Sequence, residues 1–202
     1  MKIIKYEKKK DGKYKVYLDN GNNIVLYEDT IIKNNLLFKK DIDDKILSDL
    51  MNTENISSLY NKCIKYIGVR VRSKKEIRDY LRRSTDDDNI IEDIINRLIN
   101  NNLLNDREFA RAFVNDKFKF SSMGPYRIKN ELKNNYIDEE IIDEYVNNIN
   151  DEEIDMKICK FIDKNIKSSK KKDNLKNKIY NSLLNNGYSS EMILRNLNKY
   201  NF

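Results

Sequence analysis

Apolar positions along this chain follow two different periods, and the change falls near residue 43. Upstream, Tyr14, Val16 and Leu18 alternate with Lys13, Lys15 and Tyr17, the two-residue period of a half-buried strand. The turn pair Asp11-Gly12 separates this run from an earlier one over residues 2–6, and Asn20-Gly21 separates it from Ile24-Val25-Leu26-Tyr27. Asp-Gly and Asn-Gly accept the positive φ that tight hairpins require. The pattern predicts a small three-stranded meander over about residues 2–27. Such a sheet is marginal alone, so it is expected to pack on the helices that follow.

Downstream the period becomes helical. Leu59, Cys63 and Ile67 recur every four residues, as do Ile77 with Leu81, Ile91 with Ile95, and Ile141 with Tyr145. Each set places one apolar stripe on a helix surface. The same order then recurs. Ile-x-x-x-Leu pairs begin at Ile77, Ile128 and Ile179, each 51 residues after the last. Helical stripes precede the pairs at residues 59–67, 109–118 and 154–166, and follow them at 90–99, 141–149 and 192–200. Order recurring twice over is a repeat, not the chance of an Ile-rich composition. The predicted fold is mainly α: three tandem three-helix repeats at residues 59–105, 106–152 and 153–202, forming an elongated curved particle. Residues 1–58 add the β-meander and a connecting helix.

Capping residues agree with these cuts. Ser73-x-x-Glu76 is a capping box, and Gly124-Pro125 puts proline at a first helical position, where its missing donor costs nothing. Asp106, Asp138 and Ser189 are expected N-caps, and Gly187 suits a helix stop.

The 202 residues include 39 Lys and Arg against 33 Asp and Glu, a net charge of +6. That surplus fits a polyanionic partner only weakly, because an AT-rich genome supplies Lys, Asn and Ile on its own. Its distribution says more. Residues 59–83 hold nine bases and two acids, whereas residues 84–106 hold one base and six acids. Residues 107–135 are net +4, residues 136–156 net −9 and residues 157–180 net +7. Side by side, such repeats would present a basic surface and a partial acidic counter-surface.

The densest basic cluster is Arg70, Arg72, Lys74, Lys75 and Arg78, with Arg82-Arg83 beyond, and its nearest counterparts in the second repeat are Arg127 and Lys129. Lys and Arg at a helix start engage phosphates or carboxylates. An arbitrary charge run is by default a solvated face, but recurrence of basic character in every repeat favours a binding surface. Lys170-Lys171-Lys172 reads as an exposed loop. Phe109 and Phe113 lie at core spacing, leaving Tyr126 as the aromatic placed to stack on a base.

Catalytic signatures are missing. With no histidine there is no imidazole base or metal ligand, and no GxxxxGK[ST], GxGxxG or GxSxG stretch occurs. The acidic runs Asp86-Asp87-Asp88, Asp138-Glu139-Glu140 and Asp151-Glu152-Glu153 lack calcium-loop spacing and read as helix starts. The expectation is a protein that is not an enzyme and takes no cofactor or metal. Cys63 and Cys159 form no CxxC pair and are expected to be reduced, buried thiols. No signal peptide or membrane span is evident, so a cytoplasmic protein is expected.

The segment Cys63-Ile64-Lys65-Tyr66-Ile67-Gly68-Val69-Arg70-Val71-Arg72-Ser73-Lys74-Lys75-Glu76-Ile77-Arg78-Asp79-Tyr80-Leu81 resembles the first signature of RecX regulatory proteins, an R-x-R-S before an E-L-x-x-x-L helix. Leu104-Asn105-Asp106-Arg107-Glu108-Phe109-Ala110 and Gly124-Pro125-Tyr126-Arg127-Ile128-Lys129-Asn130-Glu131-Leu132 resemble the second, and Leu183-Leu184-Asn185-Asn186-Gly187-Tyr188 a looser third. The pattern departs at Arg83-Ser84-Thr85-Asp86, where the family has a Lys-Gly or similar turn, and at Asn134-Asn135-Tyr136-Ile137, where glycine is common. The resemblance implies a monomer that binds RecA in the groove of its DNA filament. It implies inhibition of ATPase, strand exchange and co-protease activity, hence a role in DNA repair, homologous recombination and the SOS response. Single- and double-stranded DNA would be partners, and membranes would not. The alternative left open by the residues is a general DNA-binding helical-repeat protein without a recombinase partner.

Overall fold

Strands β1 (Ile3–Lys8), β2 (Lys13–Leu18) and β3 (Asn23–Tyr27) form an antiparallel sheet in that order. The computed structural model describes residues 1–10, 12–168 and 174–201, so Asp11 of the first hairpin and the Lys170-Lys171-Lys172 run lie outside the described residues. Val16 stands opposite Tyr6 and Ile24, which puts the alternating apolar side chains of the three strands on one face. That face packs where the sequence expects, on the following helices α1 (Glu28–Lys33) and α2 (Asp44–Ile67). Ile3, Val16, Leu18 and Leu26 join Ile31, Leu36, Ile42 and Leu50 in one buried cluster. Glu54 of α2 accepts the Tyr27 N–H at 2.7 Å and the Thr30 hydroxyl at 3.1 Å, which satisfies the start of α1. Burial pushes the Glu54 carboxyl above its ordinary pKa despite these donors.

The rest is helical: α3 (Lys74–Arg82), α4 (Asp88–Asn100), α5 (Asp106–Phe120), α6 (Pro125–Asn134), α7 (Glu139–Val146), α8 (Asp151–Ser168), α9 (Leu175–Asn185) and α10 (Ser190–Leu197). Two compact units result, residues 1–70 with 77–104, and residues 71–76 with 105–202. In the first, Leu59, Cys63, Ile77, Leu81, Ile91, Ile95 and Leu98 close a core between α2, α3 and α4. In the second, one cluster runs from Phe109 through Ile128, Leu132, Ile158 and Ile179 to Leu197. All three Ile-x-x-x-Leu pairs are buried, as their period requires. Helix α2 is continuous, carrying Leu50 for the sheet and Leu59 and Cys63 for the helical core.

Three helices of the repeats end alike, as α1 does at Asn35 (φ 51°), where the Leu36 N–H returns to the Ile31 carbonyl. The N–H of Leu103, Ile137 and Tyr188 returns to the carbonyl of Leu98, Leu132 and Leu183, and the residue before each has positive φ. Those residues are Asn102 (φ 56°), Tyr136 (φ 55°) and Gly187 (φ 88°). Tyr136 therefore takes the left-handed backbone that glycine supplies 51 residues later. After α3 the turn is different: Ser84 and Thr85 both donate to the Leu81 carbonyl.

The capping expectations hold at Ser73, whose hydroxyl accepts the Glu76 N–H at 3.1 Å while Glu76 accepts the Ser73 N–H at 3.2 Å. Pro125 opens α6 and Ser189 caps α10. Asp138 flanks α7 without a side-chain cap bond. Asp106 differs from expectation. Asn105 caps α5 through the Arg107 N–H, and the Asp106 carboxylate is drawn instead to the uncapped N–H of Lys74 at 2.8 Å. Cys63 is buried, its thiol pushed up to about 11 by desolvation, whereas Cys159 is only half-buried.

Candidate functional site

In the unit formed by residues 1–70 and 77–104, Arg70 is exposed after α2. Arg78 and Arg82 project from α3 towards α4. The Arg78 guanidinium grips Glu92 Oε1 with two nitrogens, at 2.6 and 3.1 Å, and Arg82 pairs with Asp88. Helix α3 is basic and α4 starts with acids, so the two helices meet through complementary charge.

In the unit formed by residues 71–76 and 105–202, the same arrangement returns 51 residues on. Lys129 Nζ lies 2.6 Å from Asp143 and Lys133 Nζ 2.8 Å from Glu139, so Arg78–Glu92 and Arg82–Asp88 have Lys129–Asp143 and Lys133–Glu139 as counterparts. The hydrogen bond to Asp143 raises the Lys129 pKa, and that from Lys133 lowers the Glu139 pKa. At the corresponding place in the third repeat the pair is uncharged, Tyr180 hydroxyl to Ser190 hydroxyl at 3.0 Å. Four acids of the counter-surface expected from the sequence, Asp88, Glu92, Glu139 and Asp143, are thus the other half of these pairs. The exposed pairs are weak, because water screens them and long side chains lose freedom. They can give way to a stronger anion.

The other expected site residues of this unit divide by exposure. The Arg72 side chain is only 11% exposed and lies 3.7 Å from Glu76, the carboxylate that caps α3. Lys74 is tied by its backbone to Asp106, with Nζ 3.5 Å from the same carboxylate. The Lys75 ammonium sits 5.6 Å from the centre of the Tyr136 ring. Arg127 is exposed at the start of α6, next to Tyr126, which is 59% exposed. Among the described residues Arg127 has no ion-pair partner.

Two contributors escaped the sequence reading. Lys133 was legible, since an offset of 51 from Arg82 finds it and an offset from Asp88 finds its partner Glu139. The tether from Asp106 to Lys74 was not, because it joins helices 32 positions apart. Among the described residues no cluster of three acidic, His or Cys side chains could hold a metal, and no helix is long and apolar enough to cross a membrane.

Comparison with known proteins agrees with the repeat. Residues 60–98 match the first three-helix domain of RecX, and residues 105–146 the second. The chain is 31% identical over 198 residues to the regulatory protein RecX of Listeria innocua, covering 95% of this chain and 73% of that protein. A crystal structure of RecX from Lactobacillus salivarius superposes with a TM-score of 0.64 at 31% identity, over 73% of this chain and 97% of that one. A further crystal structure of a regulatory protein RecX shares the fold over 98% of both chains, with a TM-score of 0.81 at 22% identity. A buried three-helix repeat, its signature residues and a match along nearly the whole chain agree: the chain belongs to the RecX family of regulatory proteins.

Proposed function

We propose that this chain is a non-catalytic regulator that binds RecA and the filament RecA forms on DNA. It inhibits ATP hydrolysis, strand exchange and co-protease activity, and so modulates DNA repair and the SOS response. The observation that carries this reading is family membership extending over 95% of the chain. Repeats at residues 59–105, 106–152 and 153–202 supply the engaging units. Arg70, Lys74, Lys75, Arg78, Arg82, Arg127 and Lys129 contact filament phosphates or acidic side chains of RecA. Arg72 serves the same site by holding Glu76 at the start of α3.

The weak surface pairs support this role. A phosphate is a stronger acceptor than an exposed carboxylate, so Arg78 or Lys129 can leave Glu92 or Asp143 for it at small cost. The test is DNA-dependent ATP hydrolysis by the cognate RecA, titrated with this protein. Inhibition at amounts substoichiometric to RecA is expected. If hydrolysis is unaffected while the chain still binds bare DNA, the filament reading fails and general DNA binding replaces it.

A further inference from the structure

The outer face of the N-terminal sheet is built differently from a merely solvated one. Strand alternation turns Val16, Leu18 and Leu26 into the core, so their neighbours Lys13, Lys15, Tyr17, Val25 and Tyr27 face away from it. Register arranges these side chains in rows. Lys5 stands opposite Tyr17, and Lys13 opposite Tyr27. Glu7 and Lys15 face each other in the row between.

The rows alternate cation and ring. Lys15 Nζ lies 4.9 Å and Lys5 Nζ 5.9 Å from the centre of the Tyr17 ring, and Lys13 Nζ lies 4.6 Å from that of Tyr27. Glu7, the acid within these rows, is already taken up by Lys9 and by the Tyr17 hydroxyl at 2.6 Å, and these hydrogen bonds hold its carboxyl at about 2, while Lys13 also acts on the Glu54 carboxylate of α2. The Glu7 charge is therefore compensated within the sheet. Lys5, Lys13 and Lys15 share this face. What remains is a positive surface with two planar rings on a three-stranded sheet, only partly shielded from solvent.

We propose that this sheet face is a binding site for single-stranded nucleic acid, separate from the basic residues of α3 and α6. The lysines meet backbone phosphates, and Tyr17 and Tyr27 offer platforms on which unpaired bases stack. Both requirements of sequence-tolerant single-strand binding, a cationic track and aromatic surfaces, are met. A duplex fits less well, because its stacked bases leave the rings nothing to cover. An anionic membrane would use the lysines but has no use for ordered rings. Lysines lying over tyrosines also keep the face soluble when unoccupied, and they can swing out to phosphate as a base takes their place.

The experiment uses the full chain and a short fluorescein-labelled oligo(dT), with binding followed by anisotropy across a salt series. The double variant Lys13→Gln, Lys15→Gln is expected to flatten the log–log salt dependence by about 1.4, roughly 0.7 per lost phosphate contact on a single strand. The double variant Tyr17→Leu, Tyr27→Leu is expected to weaken binding roughly thirty-fold or more while leaving the salt slope unchanged. Arg70, Arg78, Arg127 and Lys129 are intact in both, so failure of the filament reading would leave these results standing. Photo-crosslinking of the unaltered protein to an iododeoxyuridine oligonucleotide should place adducts on Tyr17 or Tyr27, whatever the variants do to folding. The proposal is overturned if well-folded variants bind like the parent, or if adducts fall only on residues 59–202. It is equally overturned if the lysine variant loses binding to phosphatidylserine vesicles but not to oligo(dT).

Discussion

Gly124 and Gly187 approach so closely that a Cβ on Gly124 would come within 2.6 Å of the Gly187 carbonyl oxygen. The contact is made by backbone. The Gly124 N–H donates to the Asn186 carbonyl at 2.7 Å and the Tyr126 N–H to the Gly187 carbonyl at 3.0 Å. Free donors at the start of α6 thus find carbonyls at the end of α9. Gly124→Ala is expected to lower unfolding free energy by about 1–3 kcal/mol, an overpacking cost, in a urea titration. Gly187→Ala should cost at least as much, since its Cβ would meet the backbone of Arg127 and its φ is +88°. A loss under about 0.5 kcal/mol at Gly124, the level of an ordinary surface change, would show that the two turns are not so tightly joined.

Arg72 and Arg127 should separate stability from binding. Arg72→Ala removes a nearly buried guanidinium from the carboxylate that caps α3, so thermal melting should fall by roughly 3 °C. Arg127→Ala removes an exposed side chain, so melting should stay put while inhibition of RecA weakens. Equal effects of the two on melting would contradict these roles.

The Arg78–Glu92 pair should contribute little to stability despite its two-nitrogen geometry. A double-mutant cycle with Arg78→Ala and Glu92→Ala is expected to give a coupling of about 0.2–1 kcal/mol, typical of exposed pairs. A coupling above about 2 kcal/mol would mean that Arg78 is held too firmly to be released to a phosphate.

Asp155 offers a pH readout. Burial acts to raise its pKa, but hydrogen bonds from Arg195 and Asn196, with the charges of Arg195 and Lys199, outweigh it and leave the carboxyl below its ordinary value. A lowered folded-state pKa gives stability that is present above the unfolded value, near 3.9, and lost as pH falls through the folded one. Asp155→Asn should therefore melt a few degrees below the parent at neutral pH, with the gap closing below about pH 4. A gap independent of pH would assign the loss to packing.

The sequence made the framework legible because its signals are local or periodic. Asn20-Gly21 marks a hairpin, Ser73 with Glu76 marks a helix start, and the Ile77, Ile128 and Ile179 spacing announces the repeat. Cross-helix chemistry was harder to see. Nothing around Asp106 tells that its carboxylate serves Lys74 while Asn105 caps α5. Nor does Tyr136 itself look like a left-handed residue; the glycine at position 187, and the glycine common in the family at Asn134-Asn135-Tyr136-Ile137, are what hint that the backbone turns there. Arg78 and Arg82 stood out as cations, but their acidic partners lie on the next helix and emerge once the 51-residue offset is applied to both members of a pair.

The join at Gly124 is one of two. The Ser73 hydroxyl lies 3.1 Å from the side-chain oxygen of Asn135, and Ser73 and Asn135 precede Gly124 and Asn186 by the same 51 residues. At both places the residue before a middle helix touches the turn that ends the next repeat's middle helix. The dependence is mutual: removing α9 would strip the start of α6 of its acceptors, and removing the start of α6 would leave the Asn186 and Gly187 carbonyls without those donors. A shortened chain should therefore loosen the repeat next to the cut rather than shed a repeat cleanly.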